Sequence, residues 1–118
     1  VDVESTGKKF KVFNINDDFY LHTNNYTFKP FDSDAEYIPS SVARYNNALS
    51  MLKSSSLSRE SIVNILSSHD GSGTLCRHKS KNSKESTIAS IIVDSKNLKL
   101  YLSKGYRCKS LVYDEYSL

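Results

Sequence analysis

The sequence predicts an α+β fold, with antiparallel strands toward both ends of the chain and two helices between them. Three observations predict it. Residues 1–26 alternate apolar and polar side chains, the period of a half-buried strand. Residues 40–69 change to apolar steps of three and four, the period of a helix face. Residues 87–104 return to the strand pattern. Strands, then helices, then strands is a layered α+β arrangement, not a βαβ repeat.

Each element follows from its residues. "VDVEST", "KKFKVFNI" and "DFYLHTNNY" are strand-like runs rich in Val, Phe and Tyr. "STGK" and "NINDD" separate them with turn residues, so an antiparallel meander is expected. "FKPFDSDAEYIP" is polar, holds both prolines (Pro30 and Pro39) and reads as a loop. Ser40 or Ser41 is a candidate cap for the first helix, whose apolar stripe is Val42, Tyr45, Leu49 and Leu52. "SSSLS" ends it. Ser58 caps a second helix, with Glu60 in the first turn where the helix dipole favours an acid. Ile62, Val63, Ile65 and Leu66 form its apolar face, and "DGSG" should stop it near His69. "STIASIIVD" is largely apolar and is expected to be buried. "SKN" is a turn, and "LKLYLSKG" places Leu98, Leu100 and Leu102 on one face of the returning strand. The two strands should pair as a hairpin, with "YDEYSL" behind them.

The bulk composition bounds the answer. A chain of 118 residues suits one domain spanning 1–118. It is 38% hydrophobic and 25% charged, a globular balance. A net charge of +3 is too small to argue for a nucleic-acid partner. No apolar run approaches the roughly 20 residues of a transmembrane helix, so no membrane partner is expected. Cys76 and Cys108 make no disulfide framework, which favours a reduced, cytoplasmic setting. The Lys, Asn, Ser and Ile content suggests an AT-rich bacterial genome. "VDVES" has no initiator Met and reads as mid-strand, so the chain is expected to be part of a longer or processed protein.

The chemistry centres on "HDGSGTLCRHKSK", residues 69–81. His69, Cys76, His78 and Cys108 are all zinc-ligand types, but "CRH" is not a close-paired ligand spacing and Cys108 lies beyond a hairpin. One buried Cys and ordinary His residues are the simpler reading, and no metal or cofactor is expected. Cys76 as a nucleophile needs a base beside it, yet neighbours on an extended segment point to opposite sides. A structural Cys76 is favoured. The basic run "RHKSKNSK" carries no interleaved aromatic and suits a solvated loop. An anion clamp is the fourth possibility: Arg77 is a fixed, always-charged fork, and "HTNNY" adds His22, Asn24 and Asn25. An Asn amide can donate to a developing oxyanion.

Several segments in order carry a family resemblance. "HTNNY", "ILSSHDGSGTLCRH", "STIASIIVDSKNLKLYLSKGYRC" and the closing "YDEYSL" resemble the corresponding segments of the penicillin acyltransferase-like family. That family includes the acyl-coenzyme A:6-aminopenicillanic acid acyltransferases and belongs to the N-terminal nucleophile hydrolases. The resemblance implies part of an αββα sandwich, with antiparallel strands and two helices packed on one face. It implies a cysteine exposed at a new N-terminus by self-cleavage, acting on an amide or thioester acyl group with its own α-amino group as base. Asn24 matches the oxyanion-side Asn and Arg77 the site Arg, so these two are the expected catalytic residues. His22 and Asn25 are expected to bind substrate. Cys76 becomes a packing residue, and His69 and His78 look structural.

The departures matter as much. The family nucleophile lies upstream of the Asn segment, and Cys76 and Cys108 are both internal. Asn25 stands where a His is usual, and "GYRC" lacks the Pro that precedes the Cys. The expectation is the C-terminal part of a cysteine acyltransferase or amidohydrolase, inactive alone. Its partners would be the upstream nucleophile-bearing part of the same protein and a small-molecule or peptide acyl substrate. The alternative is a catalytically inactive relative used as a binding or assembly module. An apolar layer left for the upstream part to cover would favour self-association.

Overall fold

The structure is a computed structural model that describes residues 1–34, 38–69, 73–81, 84–109 and 112–118, with only the backbone course given for residues 32–34. Parts of the expected 28–39 loop, of the "DGSG" stop and of the segment before the last strand fall outside these residues. The described chain has two helices and five antiparallel strands in two sheets, an α+β fold.

Strands β1 (Asp2–Ser5) and β2 (Phe10–Phe13) pair as a hairpin, with Val3 opposite Val12. Gly7 supplies the positive φ of their turn, at 82°. The third expected strand, "DFYLHTNNY", is not a strand: it runs as irregular chain. Its apolar residues explain why. Phe19 and Leu21 pack against the helical core cluster, so the segment follows helices instead of a strand edge.

Helix α1 (Pro39–Ser54) begins one residue before the expected caps. Pro39 sits in its first turn, where a missing N–H costs nothing, and Ile38 in the capping position makes no side-chain bond. Ser41 is instead buried inside the helix. Helix α2 (Arg59–Ser67) starts where Ser58 was expected to cap it. The Ser61 N–H donates to Ser58 Oγ at 3.1 Å, and the Ser58 N–H donates back to Ser61 Oγ at 2.9 Å. This reciprocal box satisfies two donors that the first turn would leave free. Ala48, Leu52 and Ile65 form the buried cluster between the helices, with Met51, Ile62 and Leu75 against it.

Strands β3 (Ala89–Asp94), β4 (Lys99–Lys104) and β5 (Asp114–Ser117) form the second sheet in that order. Ile91 pairs with Leu102, Val93 with Leu100, and Leu100 with Tyr116. The buried side is the unexpected one. Ser90, Tyr101 and Ser103 are buried, and Arg59 of α2 lies over the Tyr101 ring at 4.7 Å. The aliphatic side faces out: Ile91 and Val93 are each 58% exposed. Leu98 is not on the strand at all but in the β3–β4 turn, with φ 51°. Arg107, just after β4, is wholly buried, with its guanidinium 4.0 Å from the Tyr113 ring centre, a cation–π contact.

Candidate functional site

The segment Cys76–His78 lies between α2 and the second sheet in sequence and runs as irregular chain, with a bend at Leu75–Cys76. Its backbone is clamped at Arg77. The Arg77 N–H donates to Thr87 Oγ1 at 2.9 Å, and the Thr87 N–H donates to the Arg77 carbonyl at 2.9 Å. Arg77 lines a cleft with Asn24 and Arg44, while its neighbours Cys76 and His78 meet His69 and Cys108. Two separate groupings result.

The first is an open cleft of about 390 Å³. Asn24, Arg44 and Arg77 line it, with Ser40, Ser86 and Thr87. Arg44 Nη2 donates to Asn24 Oδ1 at 2.9 Å. A guanidinium has no acceptor, so the Asn24 oxygen must face it, which leaves the Asn24 Nδ2 as a donor for another group. Arg44 Nε also donates to the Ser40 carbonyl at 3.2 Å. Burial, and then the like charge of Arg77, push the pKa of Arg44 down. Arg77 itself is ion-paired to Glu85. Glu85 lines the cleft as well, so two guanidiniums against one carboxylate, with a carboxamide beside them, leave a net positive charge that favours an anionic or carbonyl-bearing ligand. Arg44 was not singled out from the sequence. An arginine within a helical stripe reads as ordinary surface charge until the fold sets it opposite Asn24.

Asn24 and Arg77 are thus brought together, and His22 and Asn25 do not line this cleft. Asn25 Oδ1 accepts from Thr23 Oγ1 at 2.6 Å and from Ser41 Oγ at 3.0 Å, which fastens the Asn24 loop to α1. His22 Nε2 donates to Glu4 Oε1 at 3.0 Å. Glu4 is buried and also accepts from the Thr27 N–H at 2.6 Å, Thr27 Oγ1 at 2.6 Å and the Phe28 N–H at 2.9 Å. Burial pushes its pKa up, but these donors together outweigh burial and hold the carboxyl below its ordinary value of 4.5.

The second grouping centres on His78. His69 Nε2 is 2.9 Å from His78 Nε2, and His78 Nε2 is 3.0 Å from Cys108 Sγ and 3.8 Å from Cys76 Sγ. The expectation that Cys108 stands apart fails here. The short 3-10 turn Arg107–Lys109 after β4 returns Cys108 to the end of α2. Cys76 is fully buried, and the Cys108 N–H donates to its sulfur at 3.5 Å. Tyr106 stacks on the His78 ring, 4.0 Å between centres and 12° between planes. Burial, then the neighbouring His69 and Lys109, push the His78 pKa down. Burial, then Cys76, push the Cys108 thiol up.

No curated protein and no solved structure matches the chain. One family model does match, that of the acyl-coenzyme A:6-aminopenicillanic acid acyl-transferases, and it covers residues 1–107. With most of its length matched in this way, the chain belongs to the acyl-coenzyme A:6-aminopenicillanic acid acyl-transferase family.

Proposed function

We propose that this chain is the C-terminal part of a cysteine acyltransferase or amidohydrolase, and that the Asn24–Arg44–Arg77 cleft is its share of the active site. The observation that carries this reading is the meeting of Asn24 and Arg77, distant in sequence, on one cleft. The thiol of an upstream N-terminal cysteine attacks an amide or thioester carbonyl. A sulfur–carbon bond forms, the carbonyl's bond to the amine nitrogen or thiol sulfur breaks, and the thiol proton passes by way of the α-amino group to that departing amine or thiol. Water or an acceptor amine then attacks the acyl-thioester, takes the acyl group and returns a proton to the cysteine sulfur. The free Nδ2 of Asn24 donates to the oxyanion that develops. Arg77, on the same cleft, orders the nucleophile and substrate region. His22 and Asn25 serve substrate binding through the loop they fasten, since each is already bonded to the fold. Both cysteines of the chain belong to the histidine cluster, which supports a nucleophile supplied from upstream.

The test is intact mass and N-terminal sequencing of the protein expressed from its complete gene, followed by acyl-donor turnover. Two polypeptides, one beginning with Cys, are expected. Asn24→Ala should then lower kcat about 10²–10³-fold, as loss of one oxyanion donor does. Arg77→Lys should also lower turnover heavily, because the planar fork is lost. An uncut polypeptide, or wild-type turnover in both variants, would overturn the reading. One observation favours a second reading, an inactive relative serving as a binding or assembly module: Arg77 is already neutralised by Glu85. The uncut polypeptide is the outcome that would support it.

A further inference from the structure

We propose that His69, Cys76, His78 and Cys108 form a structural zinc site. The inference does not depend on the catalytic reading, because none of these side chains lines the Asn24–Arg44–Arg77 cleft. Four ligand atoms, one from each residue, lie within 4.8 Å of one another. Zinc held tetrahedrally at about 2.3 Å from sulfur and about 2.0–2.1 Å from nitrogen sets its donor atoms roughly 3.3–3.8 Å apart. The 2.9, 3.0 and 3.8 Å contacts of His78 Nε2 bracket that range. Modest outward shifts of His69 and Cys108 would admit the ion.

Hydrogen bonding alone serves this cluster poorly. His78 Nε2 meets one nitrogen and two sulfurs at once. An imidazole nitrogen offers either one proton or one in-plane lone pair, so it cannot satisfy three neighbours well. A cation satisfies all four residues through their lone pairs, and the two thiols release their protons to solvent on binding. Two sulfurs and two nitrogens this close together suit zinc among the first-row divalent ions.

The surroundings have the supporting bonds that such ligands need. The Cys108 N–H donates to Cys76 Sγ, a bond that favours the thiolate. Stacked Tyr106 fixes the plane of the His78 ring. Groups of this kind orient ligands and tune their hold on the metal. The ligands also come from three separate parts of the chain: the end of α2, the irregular Cys76–His78 segment and the 3-10 turn after β4. Zinc here would tie those parts together and hold both neighbours of Arg77. The rival is a Cys76–Cys108 disulfide, which would leave the two histidines without a shared partner.

The experiment is cobalt titration of the intact protein, reduced and stripped of metal, followed by zinc displacement. One equivalent of Co²⁺ should bind, with sulfur-to-cobalt charge transfer and the strong red absorption of a four-coordinate site, and Zn²⁺ should remove both. Cys108→Ser and His69→Ala should each weaken Co²⁺ binding by at least about tenfold, the scale on which even supporting residues act. His69 is exposed, so His69→Ala should keep its fold, checked by circular dichroism before metal is added. No sulfur-to-cobalt band in the wild type, or a band unchanged in both variants, would overturn the site. So would protein purified without reductant that carries a Cys76–Cys108 disulfide and no metal.

Discussion

Single residues carry more of this fold than their types suggest. Glu4 sits on a short exposed hairpin, yet its buried carboxylate collects four donors from the 22–28 segment. It ties the first sheet to the loop that bears Asn24, together with the Tyr26 hydroxyl on the Ser5 carbonyl. Its folded pKa lies below 4.5, so the folded state binds its proton less readily than the unfolded chain does. The resulting stability is complete above the unfolded value and is lost as pH falls through the folded one. Acid unfolding followed by circular dichroism should show this loss below about pH 4.5. Glu4→Gln should be less stable near neutral pH and show a flatter acid limb. An acid limb identical to wild type would remove Glu4 from that role.

At the scale of elements, helix starts and helix contacts decide where the site residues stand. The Ser58 box starts α2, and α2 delivers His69 to its cluster. Ser58→Ala should cost about 1 kcal/mol, read from denaturant unfolding. Gly73 holds the next constraint. A Cβ there would meet the Ala43 carbonyl oxygen at 2.3 Å and Asn47 Cβ at 2.9 Å. Asn47 Nδ2 also donates to the Gly73 carbonyl at 2.9 Å. This contact sets the distance between α1, which carries Arg44, and the segment after Gly73 that leads to Arg77. Gly73→Ala should destabilise by about 1–3 kcal/mol and push the two cleft walls apart. Unfolding at the wild-type denaturant midpoint would show that the contact is easily relieved.

Over the whole molecule, the second sheet covers one face and leaves the other open. Ile91, Val93, Leu100, Leu102 and Tyr116 share the open side by register. Three of them are exposed, Ile91, Val93 and Tyr116. A contiguous apolar face of this kind drives association unless another layer covers it. The chain expressed by itself should therefore self-associate with rising concentration in analytical ultracentrifugation and bind an apolar dye. The double variant Ile91→Lys/Val93→Lys should reduce both. A monomer without dye binding at high concentration would show that this face needs no cover.

Local pattern determined a good deal by itself. The helical period and Ser58 were enough to find both helices, because caps and apolar steps act within one or two turns. The β3–β4 hairpin followed from a turn between two alternating runs, and the family followed from ordered short segments. Asn24 and Arg77 were legible as candidates from residue type, in the anion-clamp reading, and as catalytic residues through that resemblance. Only the tertiary structure decided which side of each alternating run is buried: Tyr101, under Arg59 of α2, and Ser103 are buried while Ile91 and Val93 are exposed, since alternation marks two faces and does not say which one meets a partner. It alone turned "DFYLHTNNY" away from the sheet, because Phe19 and Leu21 gain more from the helical core. It alone set Arg44 opposite Asn24. It alone returned Cys108 to His78, a closure across the β3–β4 hairpin, because contacts between residues far apart depend on the path of the whole chain and leave no spacing for a sequence motif to show.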